Sequence, residues 1–267
     1  MGCYLVIRSQ SMNPDILKFP AVKIDTHLHT RHSCDSDMDP HEACRRALDL
    51  GLGALIFTEH MDFDPSDEGF GFYDAVAIRQ SLDSCRRQFP GLAIFRGVEV
   101  TYQAKFQKQI ARFLRNGKFD YALGSVHMIG EGDISRQERQ AEYFEGRSEA
   151  EAYGAYFDEA ARAAASGLFD ALGHLDLCKK YGVLHYGRFE WKNYQDRIEK
   201  ILRILAARDM VLELNTSGLR QNPGETYPSI EVIQYFRTLG GRKVFLASDA
   251  HRVDQLALGF EKFHNIF

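Results

Sequence analysis

Seven short apolar runs punctuate this chain, and nearly all of them stop on histidine, aspartate or glutamate. Val22 and Ile24 lead into Asp25-Thr26-His27-Leu28-His29, Ala54 to Phe57 into Thr58-Glu59-His60, Leu92 to Phe95 into Gly97-Val98-Glu99, and Tyr121 to Gly124 into Ser125-Val126-His127. Phe169 to Gly173 leads into His174-Leu175-Asp176, Met210 to Leu214 into Asn215, and Val244 to Ser248 into Asp249-Ala250-His251. Helical patterns separate the runs, at about Asp39-Pro40 to Leu50, Tyr73 to Gln88, Phe106 to Leu114, Glu149 to Ala165, Asp196 to Ala207 and Ile230 to Leu239. A short all-apolar run is what a strand buried on both faces requires, and its alternation with amphipathic helices predicts a parallel α/β barrel or a doubly wound sheet. In either fold the C-terminal strand ends share one rim. A barrel gathers those ends around one pocket and an open sheet spreads them along a line, so the repeated ionisable endings favour the barrel.

Length agrees, because 267 residues suit one large α/β unit. The 45% hydrophobic and 26% charged content is that of a chain able to bury a core. Residues 1–20 read as an N-terminal extension and 21–267 as the domain, with the polar stretch from Gly130 to Arg147 expected as a long loop lying over the site. A formal charge of -4 argues against a nucleic-acid partner, since affinity for a phosphate backbone needs excess Lys and Arg. The run Cys3 to Ile7 is too short to span a membrane. Five scattered cysteines without a C-x-x-C pair suggest neither disulfides nor a zinc knuckle, which fits reduced thiols in a cytoplasm. Oligomeric state is not legible.

On a strand, Asp25, His27 and His29 would share one face. An isolated His-x-His is equally compatible with a metal grip and with two surface histidines on an edge strand, so the other strand ends decide. They offer His60, Glu99, His127, His174, Asp249 and His251, with Asp35 from the polar turn after His29. Nine side chains exceed what one ion takes, which predicts a cluster of two or three metals with a carboxylate such as Glu99 bridging. Zn, Mn or Fe suit this cysteine-free set. Neighbouring ions generate hydroxide from water at neutral pH and neutralise phosphoryl oxygens, the two needs of phosphoester hydrolysis. Asp25 is expected to orient a ligand histidine or cap its strand. His32, His41 and His185 are expected outside the site, Cys34 as a bystander, and Asp62 and Asp64 either beside the site or in a solvated turn.

Asp-x-His-x-His at 25–29, Thr-Glu-His at 58–60, Gly-x-Glu at 97–99, Ser-Val-His at 125–127, Gly-His-Leu-Asp at 173–176 and Ser-Asp-Ala-His at 248–251 together resemble the polymerase-and-histidinol-phosphatase (PHP) superfamily, in the family's order and over nearly the whole chain. Asp35-Ser36, Phe57 to Phe63, Gly124 to His127 and above all Glu213-Leu214-Asn215-Thr216-Ser217-Gly218-Leu219-Arg220 resemble its histidinol-phosphate phosphatases. The resemblance implies a distorted seven-stranded barrel with three divalent ions. One would be held by His27, His29, Glu99 and Asp249, a second by Asp35, His60 and His251, and a third by Glu99, His127 and His174. It further implies a cytoplasmic phosphomonoesterase acting on a small phosphorylated substrate, L-histidinol phosphate, by a metal-bound hydroxide, with Arg220 binding phosphate. Asp249 or a metal-bound water would protonate the leaving group. Glu59, Asp62 and Asp64 stand where carboxylates could meet the substrate's amine and imidazole. The alternative within the superfamily is activity on nucleotides, oligonucleotides or another small ester. A metal-dependent amidohydrolase would need a bridging lysine that Gly124-Ser125-Val126-His127 does not supply.

Overall fold

A computed structural model describes residues 12–266. Cys3 and the apolar run to Ile7 lie outside the described residues. The strands are β1 (Ile24–Leu28), β2 (Ala54–Phe57), β3 (His60–Met61), β4 (Ala93–Thr101), β5 (Tyr121–Ser125), β6 (Met128–Ile129), β7 (Gly132–Asp133), β8 (Ala171–Leu172), β9 (Val211–Asn215) and β10 (Val244–Ala247). The helices are α1 (Pro40–Asp49), α2 (Ala75–Gln88), α3 (Gln107–Gly117), α4 (Gln140–Phe144), α5 (Glu149–Ala165), α6 (Lys179–Tyr186), α7 (Gln195–Ala207) and α8 (Ile230–Thr238).

Strands run in the order β1-β2-β4-β5-β8-β9-β10, every neighbouring pair parallel, with β3 continuing the path of β2 along β4. The first and last strands meet beyond their ends: Leu28 bridges Ala250, His29 N donates to Ala250 O at 2.8 Å, and Asp249 N donates to His27 O at 2.8 Å. The result is a nearly closed barrel of seven parallel strands. The two closing bonds also fix the backbone of four residues at the rim.

Local chemistry explains the helices. Asp39 caps α1 by accepting from His41 N and Glu42 N, with Pro40 in its first turn, as expected. Ser148 and Glu151 form a reciprocal capping box on α5, whose bounds match the sequence expectation. Ile198, Ile201, Leu202 and Leu205 of α7, spaced along one helical face, are fully buried.

Two stretches differ from expectation. Of the expected extension, residues 12–20 form the floor of the barrel. Ile16 is buried with Ile24, Ile56, Phe95, Tyr121 and Val211, while Asn13 N donates to Asp120 O and Met12 N to Asp170 Oδ1. The segment 130–147 is no bare loop, for it holds β7 and α4, and Ile134, Tyr143 and Phe144 are buried. Its polar composition hides those three apolar anchors, which are spaced too widely to show a period.

Candidate metal centre

Strand ends around the rim bring nine side chains into one nest. His27 is the last but one residue of β1 and His29 follows the strand, with their Nε2 atoms 2.9 Å apart. Glu99 Oε2 lies 3.3 Å and 3.4 Å from these nitrogens, and Asp249 Oδ1 lies 3.5 Å and 3.4 Å from them. Beside them, Asp35 Oδ2 lies 3.4 Å from His60 Nε2 and 3.3 Å from His251 Nε2. The His29 ring stacks on His60 at 4.1 Å and on His251 at 4.4 Å. On the other flank, Glu99 Oε1 is 2.9 Å from His174 Nε2 and 3.5 Å from His127 Nε2. Glu99 thus turns one oxygen to each flank.

The nest fits divalent cations by its donor chemistry. Glu213 Oε1 stands 2.7 Å from His27 Nδ1, so with a cation in the nest the ring proton would reside there and Nε2 would present a lone pair. That lone pair faces His29 Nε2, Glu99 and Asp249, and the ligand atoms of His27, His29 and Asp249 all lie within 4.8 Å of one another. The sets Glu99, His127, His174 and His29, His60, His251 meet the same limit. Acceptors converging in a buried space repel one another unless a cation lies among them.

Charge around the nest agrees. Burial, with the positive charges of His60 and His251, pushes His29 down to about 3, leaving its imidazole neutral at pH 7. Burial alone would raise Glu99 and Asp249. For Glu99 the charges of His27, His127 and His60 overcome it, and for Asp249 those of His27 and His251 with a bond from His29, so both carboxyls sit well below the usual range. His174 and Asp249 adopt φ of 20° and 51°, conformations that non-glycine residues tolerate at a cost where function holds them.

The nest opens into a cleft of about 280 Å3. Arg220 reaches its wall from the turn after β9, donating Nη2 to Asp249 O at 2.8 Å, while its buried Nη1 has no partner among the described residues. Lys180 of α6 lines the same wall, with Nζ donating to Ser135 O at 2.7 Å and burial drawing its pKa down. Asp62 and Asp67, both buried, line the side near His127.

A family model described as PHP domain matches residues 25–217. The chain belongs to the PHP domain family. It is 32% identical to a probable histidinol-phosphatase of Deinococcus radiodurans over 88% of this chain and 89% of that protein. The crystal structure of histidinol phosphate phosphatase from Lactococcus lactis, complexed with Zn, L-histidinol and phosphate, superposes with a TM-score of 0.79 at 24% identity, covering 90% of this chain and 91% of that one. A putative histidinol phosphatase structure from Listeria monocytogenes reaches 0.81 at 20% identity, covering 90% of this chain and 100% of that one.

In this PHP domain several expected residues stand elsewhere. A register irregularity lies between Asp25 and Leu28, and Asp25 reaches the histidine pair only at the backbone, its Oδ1 accepting from His27 N at 3.4 Å. Its carboxylate accepts from Ser248 N, Ser248 Oγ and Ala257 N and touches neither ring, so it ties β1 to the segment after β10. Glu59 is buried, accepting from Thr30 N, Thr30 Oγ1 and Ser33 Oγ, and does not line the cleft. Asp64 pairs with Lys105 at 2.6 Å outside the cleft. His32, His41 and His185, expected outside the site, bond to Ser81, Ser84 and Gln140, and Cys34, expected as a bystander, accepts from Arg136 Nη2.

Sequence reading missed the groups behind the candidate ligands. Glu213 holds His27, Thr101 Oγ1 meets His127 Nδ1 at 2.8 Å, and Ser33 Oγ meets His29 Nδ1 at 3.2 Å. A signal existed for Glu213 alone, a lone carboxylate inside the apolar run Val211-Leu212-Glu213-Leu214. Lys180 gave no signal, since Lys179 beside it is the fully buried one, tied to Asp176, Glu225 and Thr226 O.

Proposed function

We propose that this PHP domain hydrolyses L-histidinol phosphate to L-histidinol and phosphate, with three divalent ions drawn from Zn, Fe and Mn. The observation that carries the reading is Glu99, whose two oxygens face the two flanks of the nest. One ion would be held by His27, His29, Glu99 and Asp249, the next by Asp35, His60 and His251, the third by Glu99, His127 and His174. When bound, such ions supply Lewis acidity that activates water at neutral pH and offsets charge on phosphoryl oxygens.

This chain's own residues do the rest. Arg220 offers its unpartnered Nη1 to a phosphate oxygen, and Lys180 adds a second positive charge on the same wall. Asp249, held ionised by the charges of His27 and His251, suits the holding of a cation at its carboxylate. Asp62 and Asp67 line the cleft near His127, where the substrate's ammonium and imidazole would lie once its phosphate meets Arg220 and Lys180. They replace Glu59 and Asp64 as the carboxylates for the cationic end. The names of the relatives support this substrate. The small cleft supports a small ester over an oligonucleotide. A cytoplasmic location is in keeping with unpaired Cys34, Cys44, Cys85 and Cys178.

Metal analysis tests the assignment. We expect three ions per chain in the native protein, and loss of at least two in Glu99→Ala because that residue serves both flanks. Loss of one ion or none in the variant would contradict the shared carboxylate.

A further inference from the structure

The segment between β3 and α2 has two sides. Asp62 and Asp67 face the cleft, while Phe63 and Tyr73 face a separate cavity of about 470 Å3, walled by the start of α2 and by α3. Its interior is an aromatic cage. Phe113 meets Phe63 at 5.9 Å and Tyr73 at 5.4 Å, both edge-on, and lies 5.2 Å from Phe119. Such a lining takes a flat ring by offset or edge contact.

Its charged groups are of one sign. Arg79, Arg96 and Arg112 line the cavity, and among the described residues no acidic side chain stands in its wall. Arg96 is engaged, with its guanidinium 5.1 Å from the Phe119 ring centroid and Nη2 donating to Lys118 O at 2.9 Å. Arg79 and Arg112 form no ion pair among the described residues, on a chain whose net charge is -4. Tyr73 Oη is buried without a hydrogen-bond partner among those residues, and a donor so placed costs free energy until an acceptor arrives. An aromatic ring carrying a carboxylate suits this lining: the ring against the sides of Phe63 and Phe113 that line the cavity, the anion toward Arg79 and Arg112.

We propose that this cavity is a second ligand site, distinct from the metal cleft, that binds a small aromatic carboxylate. The segment 62–73 forms a wall of both spaces, so occupancy alters the cationic end of the cleft; this second statement rests on the assignment of Asp62 and Asp67 above.

The test is binding of 1-naphthoate to the metal-loaded protein by saturation-transfer NMR and titration, with saturating inorganic phosphate present to block the cleft. We expect a Kd on the order of 0.1 mM for a ligand of this size, weakened at least 10-fold in Arg112→Glu and in Arg79→Glu, and little binding of uncharged naphthalene-1-methanol. Phosphate release in both variants, without naphthoate, should stay within about 2-fold of the parent, which shows that fold and metal centre are intact. With naphthoate present the parent's KM for L-histidinol phosphate should change while that for an uncharged ester does not. Absent binding, or binding removed by phosphate and untouched by the arginine variants, would overturn the site. Binding without the KM effect would overturn only the link to the cleft.

Discussion

Glu213 Oε1 lies 2.7 Å from His27 Nδ1, and the other oxygen of the same carboxylate accepts from His174 N at 2.7 Å. One buried side chain on β9 therefore orients a proposed metal ligand from β1 and fixes the backbone of another after β8. A carboxylate behind a histidine sets its tautomer and raises its basicity, and removing it typically weakens metal binding about 10–100-fold. Glu213→Gln should show that loss in chelator competition with the fold unchanged by circular dichroism. Unaltered metal affinity would mean that Glu213 serves packing alone.

Lys180 supplies a pH prediction. Burial lowers its pKa from the ordinary lysine value, so the proton that phosphate needs is lost at lower pH than for a free lysine. Activity should fall on an alkaline limb below about 10.4 as the ammonium deprotonates. Lys180→Arg, which stays protonated, should move that limb upward, whereas Lys180→Ala should lose about 10-fold or more in kcat/KM at neutral pH. An identical limb in parent and Lys180→Arg would remove the lysine from this role.

Asp62 and Asp67 should govern the cationic end of the substrate. Asp62→Asn is expected to raise KM for L-histidinol phosphate about 10-fold and to leave KM for an uncharged phosphate ester within about 2-fold, measured by initial rates on both. Equal effects on the two esters would place Asp62 in support of the metals instead.

Asp25 should matter to stability first. It is fully buried, and Asp25→Ala would strand Ser248 N and Ala257 N, costing about 3 kcal/mol, or roughly 6–12 °C in Tm for a chain of this length. Calorimetry of the metal-free protein isolates this effect. An unchanged Tm would show that those donors find other acceptors.

Gly97 tests the packing of the barrel wall. A Cβ there would stand 2.8 Å from Ile56 Cγ2 and 2.8 Å from Thr58 Cγ2. Gly97→Ala should destabilise by about 1–3 kcal/mol, read by denaturant unfolding.

The barrel was legible because strands buried on both faces leave continuous apolar runs, as Ala54 to Phe57 does, and because each run carries its ionisable end with it. Residues of the nest were legible for the same reason: His60 and Asp249 come just after β2 and β10, and Glu99 lies near the end of β4, before Thr101. What escaped depends on contacts between distant segments. Ile16 sealing the barrel floor, Thr101 behind His127 and Lys180 on the cleft wall carry no periodic signature. Asp25 misled because its carboxylate is taken up by Ser248 and Ala257 N, partners from the distant end of the chain, and meets His27 only at the backbone. Glu59 misled because a carboxylate next to a ligand can be consumed by its own loop, here by Thr30 and Ser33.

The most direct measurement is phosphate release from L-histidinol phosphate beside sugar phosphates, phosphoserine, nucleotides and short oligonucleotides, on protein reconstituted separately with Mn, Zn and Fe. A histidinol-phosphate phosphatase should show a kcat/KM for L-histidinol phosphate several orders of magnitude above that for every other ester. Even activity across the panel, or a maximum on oligonucleotides, would contradict that assignment.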